Sequence, residues 1–141
     1  MDWEECCKKR FVKDISKDSE FVNSLIKTSE NKLKSEGKLI IDETTASSKI
    51  SLAYDSLREL LEALSIKNGY KIYNHECYTA YLKEILNKGD FGEEFDELRK
   101  IRNSINYYGK ELPIEDAKEV LRRIKELRKI ILKILIRNSP Q

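Results

Sequence analysis

Apolar residues recur at intervals of three and four along most of this chain, the spacing of amphipathic helices. Trp3, Cys7, Phe11, Ile15, Val22, Leu25 or Ile26, and Leu33 keep that period. They predict a first helix from about Asp2 to Ser35, stopped by Gly37. The polar run Ser16-Lys17-Asp18-Ser19 is the place where it could kink or split. A second helix starts near Asp42 to Thr45, carries Ile50, Ala53, Tyr54, Leu57, Leu60, Leu61 and Leu64 on one face, and ends at Gly69. Its back face, with Leu52, Asp55, Glu59 and Ala63, is not wholly polar. Lys71-Ile72-Tyr73 reads as a loop leading to Asn74, an N-cap for a short third helix through about Asn87, closed by Gly89. Asp90-Phe91-Gly92-Glu93 has capping-box spacing and opens a fourth helix that ends at Gly109. Pro113 suits the first turn of a fifth, with Glu115 and Asp116 where the helix dipole favours acids. The pattern predicts an all-α fold, an antiparallel four- to five-helix bundle with short connections, as one domain over residues 1–141.

Two places break the expected pattern. The fifth helix ends in Ile130-Ile131-Leu132-Lys133-Ile134-Leu135-Ile136, apolar nearly all round. It is expected to lie between the first helix and the core, with a subunit contact as the alternative. The other break is Arg102. Phe91, Phe95, Leu98, Ile101, Ile105 and Tyr108 form the apolar stripe of the fourth helix, and Arg102 falls inside it, roughly 40° from Leu98. Asn106 lies one turn further along the same side. A guanidinium facing an interior costs several kcal/mol unless it is paired or lines a wet cleft. Something must meet it: a carboxylate or carbonyls across the core, or a ligand.

Composition bears on this only in part. Charged residues are 37% of the 141 positions and hydrophobic ones 40%, with 5 Gly and 2 Pro, which favours helices over a turn-rich β fold. The net charge of +2 neither requires nor excludes a polyanion. Basic residues gather at Arg99, Lys100 and Arg102 and again along the last helix, where interspersed Glu119 and Glu126 make a solvated face the simpler reading. Cys6, Cys7 and Cys77 are an odd set, and with no leader-like start they argue against a disulfide framework and for the cytoplasm. No apolar run approaches a membrane span. Abundant Lys, Glu and Ile resemble a thermophile composition.

Much catalytic chemistry has no sequence basis here. There is no CxxC pair and no glycine-rich phosphate loop, and His75 is the single histidine, so no metal or cofactor is expected. Cys77 and His75, two apart on one helix, do not face each other as a nucleophile pair would. His75 reads as a partly exposed structural residue. Tyr70, Tyr73 and Tyr78 could stack on bases, but such a group more often packs a loop against a bundle.

The run Arg102-Asn103-Ser104-Ile105-Asn106-Tyr107-Tyr108-Gly109 resembles the signature of the HEPN superfamily: an arginine, commonly followed by a polar residue such as Asn, with a histidine four to six residues further on. Residues Ala53 to Leu64, Gly69-Tyr70-Lys71 and His75-Glu76 resemble archaeal and bacterial members, and the long first and apolar last helices suit that bundle. The resemblance implies a homodimer whose two arginine motifs face one cleft. In active members the cleft cleaves RNA without a metal, and many members are toxins paired with a minimal nucleotidyltransferase. In one branch that partner adenylylates a tyrosine two residues past the histidine.

The motif histidine is absent here. Tyr107 takes its place and Gly109 stands where the modifiable tyrosine would be. The resemblance thus assigns Arg102 and Tyr107 to the catalytic positions, and Arg102, Asn103, Asn106 and Tyr107 to RNA or nucleotide binding. A phenol with a pKa near 10 is a poor base at neutral pH, which weakens the ribonuclease expectation. Tyr107 also points away from the apolar stripe, about 180° from Leu98. Three readings follow: an RNA- or nucleotide-binding partner of a nucleotidyltransferase in a toxin–antitoxin-like system with little or no nuclease activity; an active metal-independent endoribonuclease in which Tyr107 or His75 replaces the histidine; or a protein–protein scaffold.

Overall fold

The computed structural model describes residues 1–109 and 111–137, with side chains for all of these except 107 and 108. It is mostly helical. The elements run α1 (Trp3–Lys8), β1 (Val12–Asp14), α2 (Ser19–Lys38), α3 (Ala46–Lys67), β2 (Tyr70–Ile72), α4 (Glu76–Ala80) continuing into a π-helical turn (Tyr81–Ile85), α5 (Gly89–Tyr108) and α6 (Ile114–Arg137).

Helix α3 is the axis of the molecule. Ile50, Ala53, Tyr54, Leu57, Leu60, Leu61 and Leu64 are all buried, as their spacing predicts. Its other side is covered too, by α2 and α6, which is why Ala63 and Ile66 are also sealed from solvent. The apolar end of α6 divides: Ile131 and Leu135 enter the core, while Ile136 stays 59% exposed.

The expected first helix is two helices and a strand. Arg10 adopts a left-handed backbone (φ 61°), which stops α1, and the Asp18 carboxylate caps α2 by accepting from the Phe21 amide at 3.0 Å. Between them β1 pairs antiparallel with β2, Val12 opposite Ile72 and Asp14 opposite Tyr70. The stretch expected as a loop is therefore half of a two-stranded sheet. Gly69, at φ 92°, makes the turn that brings α3 into β2, and its carbonyl accepts from the Ile15 amide at 2.9 Å.

Two expected helix ends also move. Gly37 lies inside α2, and Gly89 opens α5 instead of closing the preceding helix. Glu93, expected in a capping box, instead pairs with Lys83 at 2.8 Å. Gly92 is required by packing: a Cβ there would lie 3.2 Å from the Thr79 carbonyl oxygen and closer still to the Lys83 side chain. Cys6 and Cys77 are joined by a disulfide that ties α1 to α4, contrary to the expectation from cysteine count, and Cys7 is free and exposed. An odd count leaves one thiol over without forbidding a bridge between the other two.

Candidate functional site

Asp55, Arg58 and Glu62 are three or four residues apart on α3, so they share one face. Arg99, Arg102, Asn103 and Asn106 do the same on α5. The two faces meet antiparallel: Arg102 lies beside Asp55, and one turn along α5 Asn106 meets Ser51, one turn back on α3. His75 at the start of α4 closes the end of this seam. The structure thus gathers residues that the chain keeps far apart.

Arg102 carries the least complete set of contacts in the group. Its side chain is 16% exposed. One Nη lies 3.5 Å from an Asp55 carboxylate oxygen, an ion-pair distance longer than a good charge-assisted hydrogen bond. The guanidinium carbon sits 5.2 Å above the ring centroid of Tyr54, a cation–π contact. The Nε–H is buried without a hydrogen-bond partner. A guanidinium has five donors in a fixed fork, and here several are left for something else.

Its neighbours are better matched. Arg99 donates twice to Asp96, at 2.9 and 3.3 Å. Arg58 donates to Glu62 at 3.2 Å, and the other Glu62 oxygen holds Lys71. Each of the three arginines therefore has a carboxylate beside it, but Glu62 is shared with Lys71 and Asp96 with Lys100, so positive charge is in excess around the site.

Tyr54 is fully buried, stacked on Phe95 with ring centroids 5.8 Å apart. Its hydroxyl lies 3.3 Å from Nδ1 of His75. Burial drives the Tyr54 phenol well above its ordinary range against the pull of Arg102, Arg99 and Arg58, so it keeps its proton. The histidine moves the other way. Burial first, then the positive charges of Arg58, Arg102 and Arg99, push His75 down to about 4, with Glu62 opposing. His75 is neutral at pH 7. A phenol that stays protonated is the natural donor to Nδ1, which leaves the imidazole proton on Nε2. In that tautomer His75 offers a hydrogen bond to a ligand and accepts no proton from it.

The site residues expected from sequence are only partly assembled. Arg102 and Asn106 face α3 together, with Asn106 exposed and accepting from the Ser51 hydroxyl at 3.2 Å. Asn103 is half-exposed on the same helix. The Tyr107 side chain, assigned a catalytic and binding role, lies outside the described residues. His75 is partly exposed, as the sequence predicts, and it also shares the electrostatic field of Arg102. Sequence reasoning missed Tyr54, Asp55 and Arg58 as site residues. The four-residue step from Arg58 to Glu62 was a visible signal of an ion pair, but nothing local linked that pair to Arg102.

Among the described residues no group of three or more His, Cys, Asp or Glu side chains converges as metal ligands would, and no helix is long and apolar enough to cross a membrane. Comparison with family models, with curated proteins and with solved structures yields no match.

Proposed function

We propose that this chain is a HEPN-type, RNA- or nucleotide-binding protein that works as a homodimer beside a minimal nucleotidyltransferase in a cytoplasmic toxin–antitoxin-like pair, with nuclease activity weak or lost. The observation that carries the reading is the state of Arg102: a guanidinium at the edge of the core with one long carboxylate contact and a buried, unpartnered Nε. A phosphate would accept the bidentate contact that Asp55 does not make. The His75 Nε2–H and the amides of Asn103 and Asn106 supply neutral donors for ribose or base. Asp55 neutralises Arg102 in the free protein, so a ligand must displace or accommodate that carboxylate, which favours modest affinity. The Cys6–Cys77 bridge fits a cytoplasmic setting of the hyperthermophile kind, where intracellular disulfides are common.

The ribonuclease is a second reading, because the single histidine of the chain lies near Arg102, although burial and the arginines lower its basicity. If its Nδ1 carries the proton and donates to Tyr54, Nε2 is free to take a proton from a 2′-hydroxyl. RNA incubated with purified protein in EDTA separates the two. The binding reading expects intact RNA and measurable binding that Arg102→Ala weakens at matched salt. Cleavage lost in both Arg102→Ala and His75→Gln would establish the nuclease instead. Equal binding by wild type and Arg102→Ala would remove Arg102 from either role.

A further inference from the structure

Of the four tyrosines between α3 and α5, three are packed and one is not. Tyr70 stands edge-on to Trp3 and contacts Tyr81, and Tyr78 is buried against Phe95. Tyr73 is 59% exposed. Phe21, in the first turn of α2, is 40% exposed, and these two are among four large hydrophobic side chains left open to solvent in the described residues. They are brought to one cation. The Lys71 Nζ lies 5.3 Å from the Phe21 ring centroid and 5.8 Å from that of Tyr73.

The rings are also wired to the Arg102 site. Lys71 is held by Glu62, Glu62 by Arg58, and the charge of Arg58 acts on Tyr78 and His75. Along α3 the step from Glu62 to Asp55 is seven residues, roughly 10 Å. A stacking surface, a line of charges and the arginine site thus lie on one side of the molecule.

The chemistry of the patch selects among occupants. An apolar protein surface needs contiguous apolar area to dock on. Here two separate rings flank an ammonium, with the Asp18 cap and Asn74 beside them, so the hydrophobic area is broken by charge. Each ring turns one face to the Lys71 ammonium, which Glu62 pairs, and the part of each ring left open to solvent offers a nucleobase the stacking contact that single-strand binders use.

We infer that Phe21, Lys71 and Tyr73 form a base-stacking platform for single-stranded RNA, taking a base beyond the nucleotide bound at Arg102. This rests on the RNA-binding reading above and extends it to unpaired strands. Because Phe21 and Tyr73 are exposed, their replacement leaves the core intact.

The test is binding of a short fluorescein-labelled single-stranded RNA, and of its duplex, to wild type, Arg102→Ala and the Phe21→Ala/Tyr73→Ala double variant across a salt series. The platform predicts that the double variant loses roughly tenfold or more in single-strand affinity, with an unchanged salt slope and little effect on the duplex. Tyr73→Trp retains binding. If the double variant binds like wild type while Arg102→Ala is weakened, the platform is wrong and the Arg102 reading stands. If neither variant differs from wild type, or wild type binds no RNA, both fall. A change of oligomeric state in the double variant by sedimentation makes the rings a subunit contact and overturns the platform.

Discussion

Among the arginines that the fold holds largely away from water, Arg128 and Arg102 are held differently. Arg128 on α6 is 6% exposed, wedged where α2, α3 and α6 meet. Its Nε donates to the Ser56 hydroxyl at 2.5 Å and an Nη to the Ser29 hydroxyl at 3.0 Å, while Ser29 itself bonds the Ser56 carbonyl at 2.6 Å. Three helices are tied by one head group whose ties are neutral hydroxyls. Arg102 has a carboxylate at 3.5 Å, an aromatic face and an unpartnered Nε. The structural tie that was the alternative to a ligand for Arg102 is what Arg128 performs. The fold gives hydroxyl partners to the Nε and one Nη of Arg128, whereas it leaves the buried Nε of Arg102 without one.

That contrast can be strained from the Arg102 side first. The Cys6–Cys77 bridge closes a separation of 71 residues and anchors α4 two residues from His75. Cys77→Ser is expected to cost about 4 kcal/mol from loop-closure entropy, read by denaturant unfolding. Hydrogen exchange should rise in α1 and α4 well before the α2–α3–α6 layer where Arg128 sits. Uniform loosening would mean that the two regions are not mechanically separate.

The next effect is smaller and lies at Arg128. Arg128→Ala removes the link between Ser29 and Ser56 and leaves a void, a loss of about 2–3 kcal/mol. Arg128→Met, of similar length and without charge to desolvate, should be close to neutral, because burial already disfavours the charged form, with Glu30 opposing only in part. Arg102→Ala should stay within about 1 kcal/mol of wild type.

The pattern of hydrophobic residues made the long elements legible. The leucines of α3 and the Phe95–Leu98–Ile105 stripe of α5 read correctly because each carries several turns of one period. The N-terminal region did not, for a physical reason: β1 has three residues, and its partner β2 lies on the far side of α2 and α3. No local window contains both strands. The Cys6–Cys77 pairing is equally non-local. At the site, the placement of Arg102 on the stripe was readable from helical geometry, but Tyr54, Asp55 and His75 reach it only through the docking of α3 and α4 on α5. Arg128 was hidden among the basic residues of α6, since a charged residue every few positions looks like a solvated face until a neighbouring helix covers it.

A further prediction concerns pH. His75 titrates near 4 in the folded chain against 6.5 as a free side chain, so between these values the unfolded state binds the extra proton. Its contribution to stability is full above pH 6.5 and declines as the pH falls towards 4. His75→Gln should flatten thermal stability across that window, and an unchanged profile would mean that His75 is solvated and apart from the arginines.

The central claim is that Arg102 is kept for a ligand and Arg128 for the fold. Its most direct test is one protein measured two ways: Arg102→Ala, for thermal stability and for RNA binding at matched salt. The account predicts a melting temperature close to wild type and a clear loss of binding that a lysine at position 102 restores only in part. A variant that melts several degrees lower yet binds RNA as wild type does would make Arg102 the structural tie and contradict the account.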